Sequence, residues 1–191
     1  MDIFTPHPPH RTFTIEETAT TIIQTLKQAN QTLGVAESLT GGGLMAAITS
    51  ISGSSAVFHG GVVSYATPLK QEILGVDEQL IAKEGVIHAE VARQMAKGAR
   101  RITSHGDNKT TWGVGTTGVA GPTPQDDKPA GTVYIGVASE RRVWAWGPFN
   151  FSGGREEVRR ATVREALCLL KDVVEGRVSE DMIVSEVEGR G

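Results

Sequence analysis

The fold is decided by VAESLTGGGLMAAITSI, residues 35–51. Val35 and Ala36 read as a short buried strand, residues 38–43 (SLTGGG) as a glycine-rich turn, and Leu44 to Ile51 as a helix opening at Thr40 or Gly41. A strand that passes through such a turn into a helix is the repeating step of α/β architecture. The turn sets a serine and a threonine where free backbone N–H groups could receive an anion or a developing oxyanion. An ordinary capped turn is the alternative reading. A Walker loop is excluded, because no Gly-Lys-Ser/Thr follows. A Gly-x-Ser-x-Gly elbow is excluded too, because Glu37 and Leu39 flank the serine without glycines beyond them.

Upstream, Thr14 and Glu17 have capping-box spacing. Ile15, Ala19, Ile22, Ile23, Leu26, Ala29 and Leu33 share one helical face, so a helix is expected to run to about Leu33 with Gly34 as its stop. Residues 1–13, rich in Pro and His, are expected to be a loose arm. Downstream, 57–65 (VFHGGVVSY) is a strand whose glycines suggest a bulge or a close backbone approach. Thr67 and Pro68 read as N-cap and first residue of a short helix that Gly75 stops. Further helices are expected over 77–83 and 88–103, a strand over 111–117, and a Gly/Pro loop over 118–130. A hairpin over 131–139 and 143–151 follows. The last helix spans 154–175, and 176–191 is a tail. This order predicts a three-layer α/β/α sandwich with a mostly parallel sheet and an antiparallel hairpin, one domain over 14–175.

Composition narrows the function. The 191 residues are 39% hydrophobic and 21% charged, as in ordinary globular proteins. Nineteen Lys and Arg against 22 Asp and Glu give a net charge of −3, against a broad nucleic-acid binder though not against a local basic groove. The single cysteine excludes a disulfide framework or a Cys-clustered metal site. The histidines lack metal-ligand spacing. With no apolar run long enough to span a bilayer and no secretory leader, a cytoplasmic protein without a membrane partner is expected.

Several residues stand out chemically. Gly113-Val-Gly115-Thr-Thr-Gly118 matches the dinucleotide pattern, but a Pro-rich loop follows where that mechanism needs a helix, so a Rossmann site is rejected. Thr116 and Thr117, at the end of that strand, remain candidate ligand contacts. With Thr67 as cap, Lys70 occupies the first helical turn, where the helix dipole disfavours a cation and burial would lower its pKa further. Tyr65, nearby, could hold or relay its proton. A solvated lysine and a strand tyrosine are the plain alternative. In the last helix Val158, Thr162, Ala166, Leu169, Leu170 and Val173 mark an inward stripe that includes Arg155 and Arg159. These arginines need an anion, either the Glu37 carboxylate or a ligand phosphate. The same wheel places Cys168 on the polar face, which removes it as a nucleophile. Trp144 and Trp146 share a strand face suited to core packing or a subunit contact.

Five segments in order resemble the CinA C-terminal domain family: AESLTGGGL at 36–44, ISGSSAVFHGGVVSYATPLKQEILGV at 51–76, TTGVAGP at 116–122, KPAGTVYIGVA at 128–138 and GGREEVRRATVREAL at 153–167. The resemblance covers residues 14–175. Characterised members of that family are nicotinamide-nucleotide amidohydrolases, which deamidate nicotinamide mononucleotide. By motif position, the resemblance implies Ser38 as nucleophile and Tyr65 and Lys70 as its catalytic partners. It implies pocket-bordering residues from Thr117 to Pro122, and Arg155 and Arg159 as the basic positions of the last helix. This chain departs from the family pattern at Leu39 (commonly cysteine), at Thr67 (often asparagine), at Gly154 (aspartate) and in a shorter loop after Pro122.

The expected function is therefore hydrolysis of nicotinamide mononucleotide to nicotinate mononucleotide and ammonia. The catalytic set would be Ser38, Tyr65 and Lys70. The substrate-binding set would be Glu37, Thr40, Gly41, Gly42, Gly43, Thr116, Thr117, Gly118, Arg155 and Arg159. No metal or organic cofactor is required, and the partner is a small nucleotide. A homo-oligomer is expected from the family and the tryptophan strand. Two alternatives stand beside this reading: a catalytically inactive nucleotide-binding or interaction module, and a deamidase of another amide-bearing nucleotide.

Overall fold

In the computed structural model the described residues are 13–178, so the expected arm and tail fall almost wholly outside them. The first helix, α1 (Ile15–Gln28), opens with the anticipated capping box: the Glu17 amide donates to Thr14 Oγ1, and the Thr14 amide donates to Glu17 Oε2 at 2.8 Å. It stops earlier than expected. Asn30 takes the left-handed conformation at φ 52°, and the Gln31 amide donates back to Leu26 O at 2.8 Å, which closes the helix with an asparagine in place of glycine. Leu33 and Gly34 thereby enter β1 (Leu33–Glu37), every residue of which is buried.

The remaining elements are α2 (Gly43–Thr49), β2 (Phe58–Val63), α3 (Thr67–Glu72), α4 (Glu78–Glu84), α5 (Ala89–Thr103), β3 (Trp112–Gly118), β4 (Thr132–Ala138), β5 (Val143–Asn150) and α6 (Arg155–Val174). They build an α/β fold around one five-stranded sheet of order β2-β1-β3-β4-β5. The β1–β2 and β1–β3 pairings are parallel, the β3–β4 and β4–β5 pairings antiparallel, so the sheet is mixed. "Mostly parallel" holds only for strand direction. At the β1–β2 edge Leu33 pairs with Phe58 and Gly34 with Gly60, leaving His59 as the extra residue of a bulge.

Alternation along the strands supplies the layers. Leu33, Val35, Val114 and Ile135 point into one core with Leu26 of α1, Leu44 and Ile48 of α2, and Leu167 and Leu170 of α6. Against the opposite face lies α5, which approaches so closely that a Cβ on Gly113, Gly115 or Gly136 would collide with its backbone at Ala92 or Ala96. Two glycines of the false dinucleotide motif are thus explained by helix–sheet contact. Trp146 is buried in the first core, and Trp144 packs against it, stacked on Trp112 at 6.4 Å.

Two expectations about helices are corrected. Cys168 is buried, because α6 carries α1 on one side and α2 on another and so buries Val163, Leu167 and Cys168 beyond the single expected stripe. In α3 the N-cap is Ala66 and Thr67 is the first helical residue, so Lys70 stands at the fourth position and faces inward. Its environment is set by burial rather than by a first-turn dipole.

The β1–α2 junction rests on Glu37. Fully buried, its carboxylate accepts from the amides of Gly42 (2.8 Å), Leu44 (3.2 Å) and Met45 (2.7 Å). These are orphan donors at the start of α2, satisfied by a negative charge where the helix dipole favours one. Glu37→Ala strands these donors in the core. With ~1.5–3 kcal/mol for each hydrogen bond to a charged group and partial relaxation, a loss of at least ~3 kcal/mol is expected. This corresponds to ~6–12 °C in melting temperature for a chain of this size. Thermal unfolding followed by circular dichroism checks it; a midpoint within ~2 °C of wild type would contradict the capping role.

Candidate active site

The order β2-β1-β3 makes a topological switch: the chain leaves β1 toward β2 on one side and returns to β3 on the other. Open α/β sheets hold ligands in the crevice at the carboxyl ends of strands at such a point. Here that crevice is a cavity of about 280 Å³, lined by Ser38 and Leu39 after β1, Tyr65, Thr67 and Lys70 around the start of α3, and residues 117–121 at the end of β3 and just beyond it. Val86, Thr123, Pro124, Gln125 and Arg155 complete the wall.

Ser38 follows β1 directly, and its amide extends the ladder by donating to Thr116 O at 3.1 Å. Its hydroxyl makes no hydrogen bond within the described residues. Lys70 is 1% exposed. Its Nζ donates to Ser64 O at 2.7 Å and to Tyr65 O at 3.4 Å. Ser64 is itself fixed, because its amide donates to Glu37 O at 2.8 Å and its hydroxyl to the same oxygen at 3.3 Å. Burial lowers the Lys70 pKa to about 8, against the opposing pull of the Asp126 carboxylate. A neutral amine with both protons on carbonyls keeps its lone pair for a third partner.

Tyr65 is exposed, and its hydroxyl accepts from Arg155 Nη2 at 2.6 Å. The same guanidinium donates through Nη1 to Gly121 O at 2.8 Å, joining the two rims of the cavity. Among the sequence-derived candidates, the structure brings Ser38, Tyr65, Lys70, Thr117, Gly118 and Arg155 to one cavity. Within that group the Thr117 hydroxyl is committed to Val86 O at 2.7 Å.

Other candidates are not brought there. Glu37 meets neither arginine, since its carboxylate is taken up by α2. The Arg155–Glu37 and Arg159–Glu37 pairings are therefore corrected: Arg159 Nη2 donates to Thr40 O at 2.9 Å and lies against Gly41. Thr40 and Thr116 are buried and share a hydroxyl–hydroxyl bond of 2.9 Å. In the turn, the Gly41 amide donates to Ser38 O, that of Gly42 to Glu37 and that of Gly43 to Thr40 O. The glycine amides expected to receive an anion are consumed. Those of Leu39 and Thr40 make no hydrogen bond within the described residues, and Leu39 lines the cavity.

Sequence reasoning passed over Ser64 and Asp126. Ser64 carries no signal beyond its place between Val63 and Tyr65. Asp126 sits with φ 47° in the 122–128 loop, and its Oδ2 accepts from the Val86 amide at 3.0 Å, fastening that loop over the cavity. An Asp-Asp pair in a Gly/Pro loop was the available clue.

A family model described as the CinA C-terminal domain matches residues 15–174. A CinA-like protein of Frankia casuarinae is 42% identical over 161 residues, covering 84% of this chain and 36% of that protein. One from a Synechococcus species is 45% identical over 161 residues, with 80% and 36% covered. This chain thus spans about a third of the length of these relatives. Among solved structures, the competence/damage inducible protein CihA of Agrobacterium tumefaciens superposes with a TM-score of 0.77 at 33% identity, covering 90% of this chain and 99% of that one. A competence-damaged protein (CinA) superfamily protein of Escherichia coli does so with a TM-score of 0.79 at 28% identity, covering 87% and 95%. By the extent of the family match and the identity of these relatives, the chain belongs to the CinA C-terminal domain family.

Proposed function

We propose that this protein is a serine amidohydrolase that converts nicotinamide mononucleotide and water to nicotinate mononucleotide and ammonia. The observation that carries the reading is the convergence of the Ser38 hydroxyl, the buried Lys70 amine and Arg155 on one cavity of about 280 Å³. That volume lies near the lower end of the ~300–1000 Å³ typical of ligand sites and suits a mononucleotide better than a dinucleotide.

In this mechanism neutral Lys70 takes the Ser38 proton as Oγ attacks the carboxamide carbon. The resulting oxyanion points to the unpartnered Leu39 amide, the position used by the residue after the nucleophile in other serine hydrolases. Lys70 then delivers the proton to the departing ammonia, and water resolves the ester by the reverse path. Arg155 holds the nucleotide phosphate from the cavity rim and, through Tyr65, keeps the tyrosine at the entrance. Glu37, Thr40, Thr116 and Arg159 support this reading from beneath, as the braces of the turn that presents Ser38.

Ammonia release from nicotinamide mononucleotide tests the proposal. Ser38→Ala should fold normally and lose at least ~10³-fold in kcat, as expected for removal of a covalent nucleophile. No ammonia from the wild type, or full activity in Ser38→Ala, would overturn it.

The base assignment predicts a pH profile. Lys70 is active when deprotonated, so kcat/KM should rise with pH and level off above a pKa near 8. Removing the Asp126 charge, which favours the ammonium form, should move this rise to lower pH in Asp126→Asn. A rise unmoved, or moved upward, would contradict the assignment.

Arg155→Ala should weaken the nucleotide by about 10–100-fold in kcat/KM, the equivalent of ~1.5–3 kcal/mol for a charged hydrogen bond. The matching nucleoside should be affected far less. Equal losses on both substrates would assign Arg155 to positioning Tyr65 alone.

A further inference from the structure

At the other end of the sheet, beyond the start of β3 and the end of β4, lies a larger groove of about 1080 Å³. It shares no lining residue with the candidate active site. One wall is the outer face of α5, with Arg93, Lys97, Arg100 and Arg101. Lys109 comes from the loop before β3, and Arg141 and Arg142 from the β4–β5 turn. Only two carboxylates, Asp77 and Glu140, share the lining with these seven cations, in a chain whose net charge is −3.

The concentration of charge has no complete structural explanation. Cations in the last turn of a helix are favoured by its dipole, which accounts for Arg100 and Arg101 but not for Lys97, Lys109 or Arg141. Asp77 spends its carboxylate on the Gln79 and Leu80 amides at 2.6 and 3.2 Å. Arg93 pairs with Glu90 at 2.9 Å. Arg100 donates to Thr110 O at 3.1 Å and Ser139 O at 2.8 Å, carbonyls that hold the guanidinium in place without neutralising it. Burial pushes its pKa below the ordinary guanidinium value, while Glu140 opposes the shift. Lys109 Nζ donates to Gly106 O at 3.1 Å.

Along α5 the cations recur at i, i+4, i+7 and i+8, a single stripe of about 12 Å at 1.5 Å per residue. Three segments therefore hold like charges around a concave surface, an arrangement that an anion of several charges relieves. The lining contains no phenylalanine, tyrosine or tryptophan. It offers no stacking platform for bases, which single-strand nucleic-acid sites use. The chemistry recognised is phosphate rather than base.

We propose that this groove binds a short oligophosphate, an anion of three or more linked phosphates held by the α5 stripe and the β4–β5 turn. The site is independent of the proposed deamidase reaction.

Isothermal titration of the full chain with inorganic tripolyphosphate in 50 mM salt tests it. Saturable binding is expected at one site per chain, tighter than for pyrophosphate and tighter again than for orthophosphate, and weakening as salt rises. The double variant Lys97→Glu/Arg141→Glu should bind at least tenfold more weakly, and Ser38→Ala should bind as wild type does. Neither Lys97 nor Arg141 is buried; the neutral pair Lys97→Gln/Arg141→Gln serves if the reversal disturbs folding, and should also weaken binding. Absence of saturable binding to wild type, or undiminished affinity in the folded variants, would overturn the proposal. So would tighter binding of a single-stranded oligonucleotide of matched phosphate number through the same residues, which would make the groove a nucleic-acid surface.

Discussion

The structure hangs on one buried carboxylate. Glu37 ends β1, gathers three amides at the start of α2 with its side chain, and receives Ser64 with its carbonyl. Ser64 in turn accepts from Lys70. The residue preceding Ser38 therefore determines where the helix after it begins and where the amine across the cavity stands. Among the described residues no cation lies within hydrogen-bond reach of the Glu37 carboxylate; the helix end meets it with oriented amides, which are fixed dipoles of the required sign. This interaction also explains why the glycine turn is a poor place for an external anion. The protein already supplies one.

What was legible in the sequence was local. The Thr14–Glu17 capping box, the helix over 88–103 and the strand–turn–helix at 35–51 each depend on residues a few positions apart, and each forms near where it was expected. The end of α1 was not legible, because Asn30 does there what glycine more often does. Cys168 misled for a different reason: a helical wheel assumes one buried face, and α6 is covered on two. Arg155 and Arg159 were read as cations needing an anion, and the Glu37 carboxylate is not that anion. Their partners proved to be the carbonyls of Gly121 and Thr40 and the Tyr65 hydroxyl, contacts across the fold that spacing alone cannot specify.

The same contrast applies to Lys70. Sequence pointed to it through a helix-start dipole and through burial; the first falls away, since Thr67 is inside α3 and Lys70 one position further along. The second stands: burial lowers its pKa, tempered by the Asp126 carboxylate. At Gly113 and Gly115 a familiar ligand pattern turned out to record the close passage of α5.

The proposed chemistry depends on Lys70 losing its proton well below the ordinary lysine range, and this can be measured without substrate. Heteronuclear NMR of lysine side chains in the 191-residue chain, assigned with Lys70→Arg, follows the Cε and Nζ shifts of Lys70 through a pH titration. The account expects a midpoint near 8, separated from the other lysines, which titrate around ~10.4 when unperturbed. A Lys70 that titrates with the others would be an ammonium throughout the working range, and the Ser38–Lys70 mechanism would be contradicted.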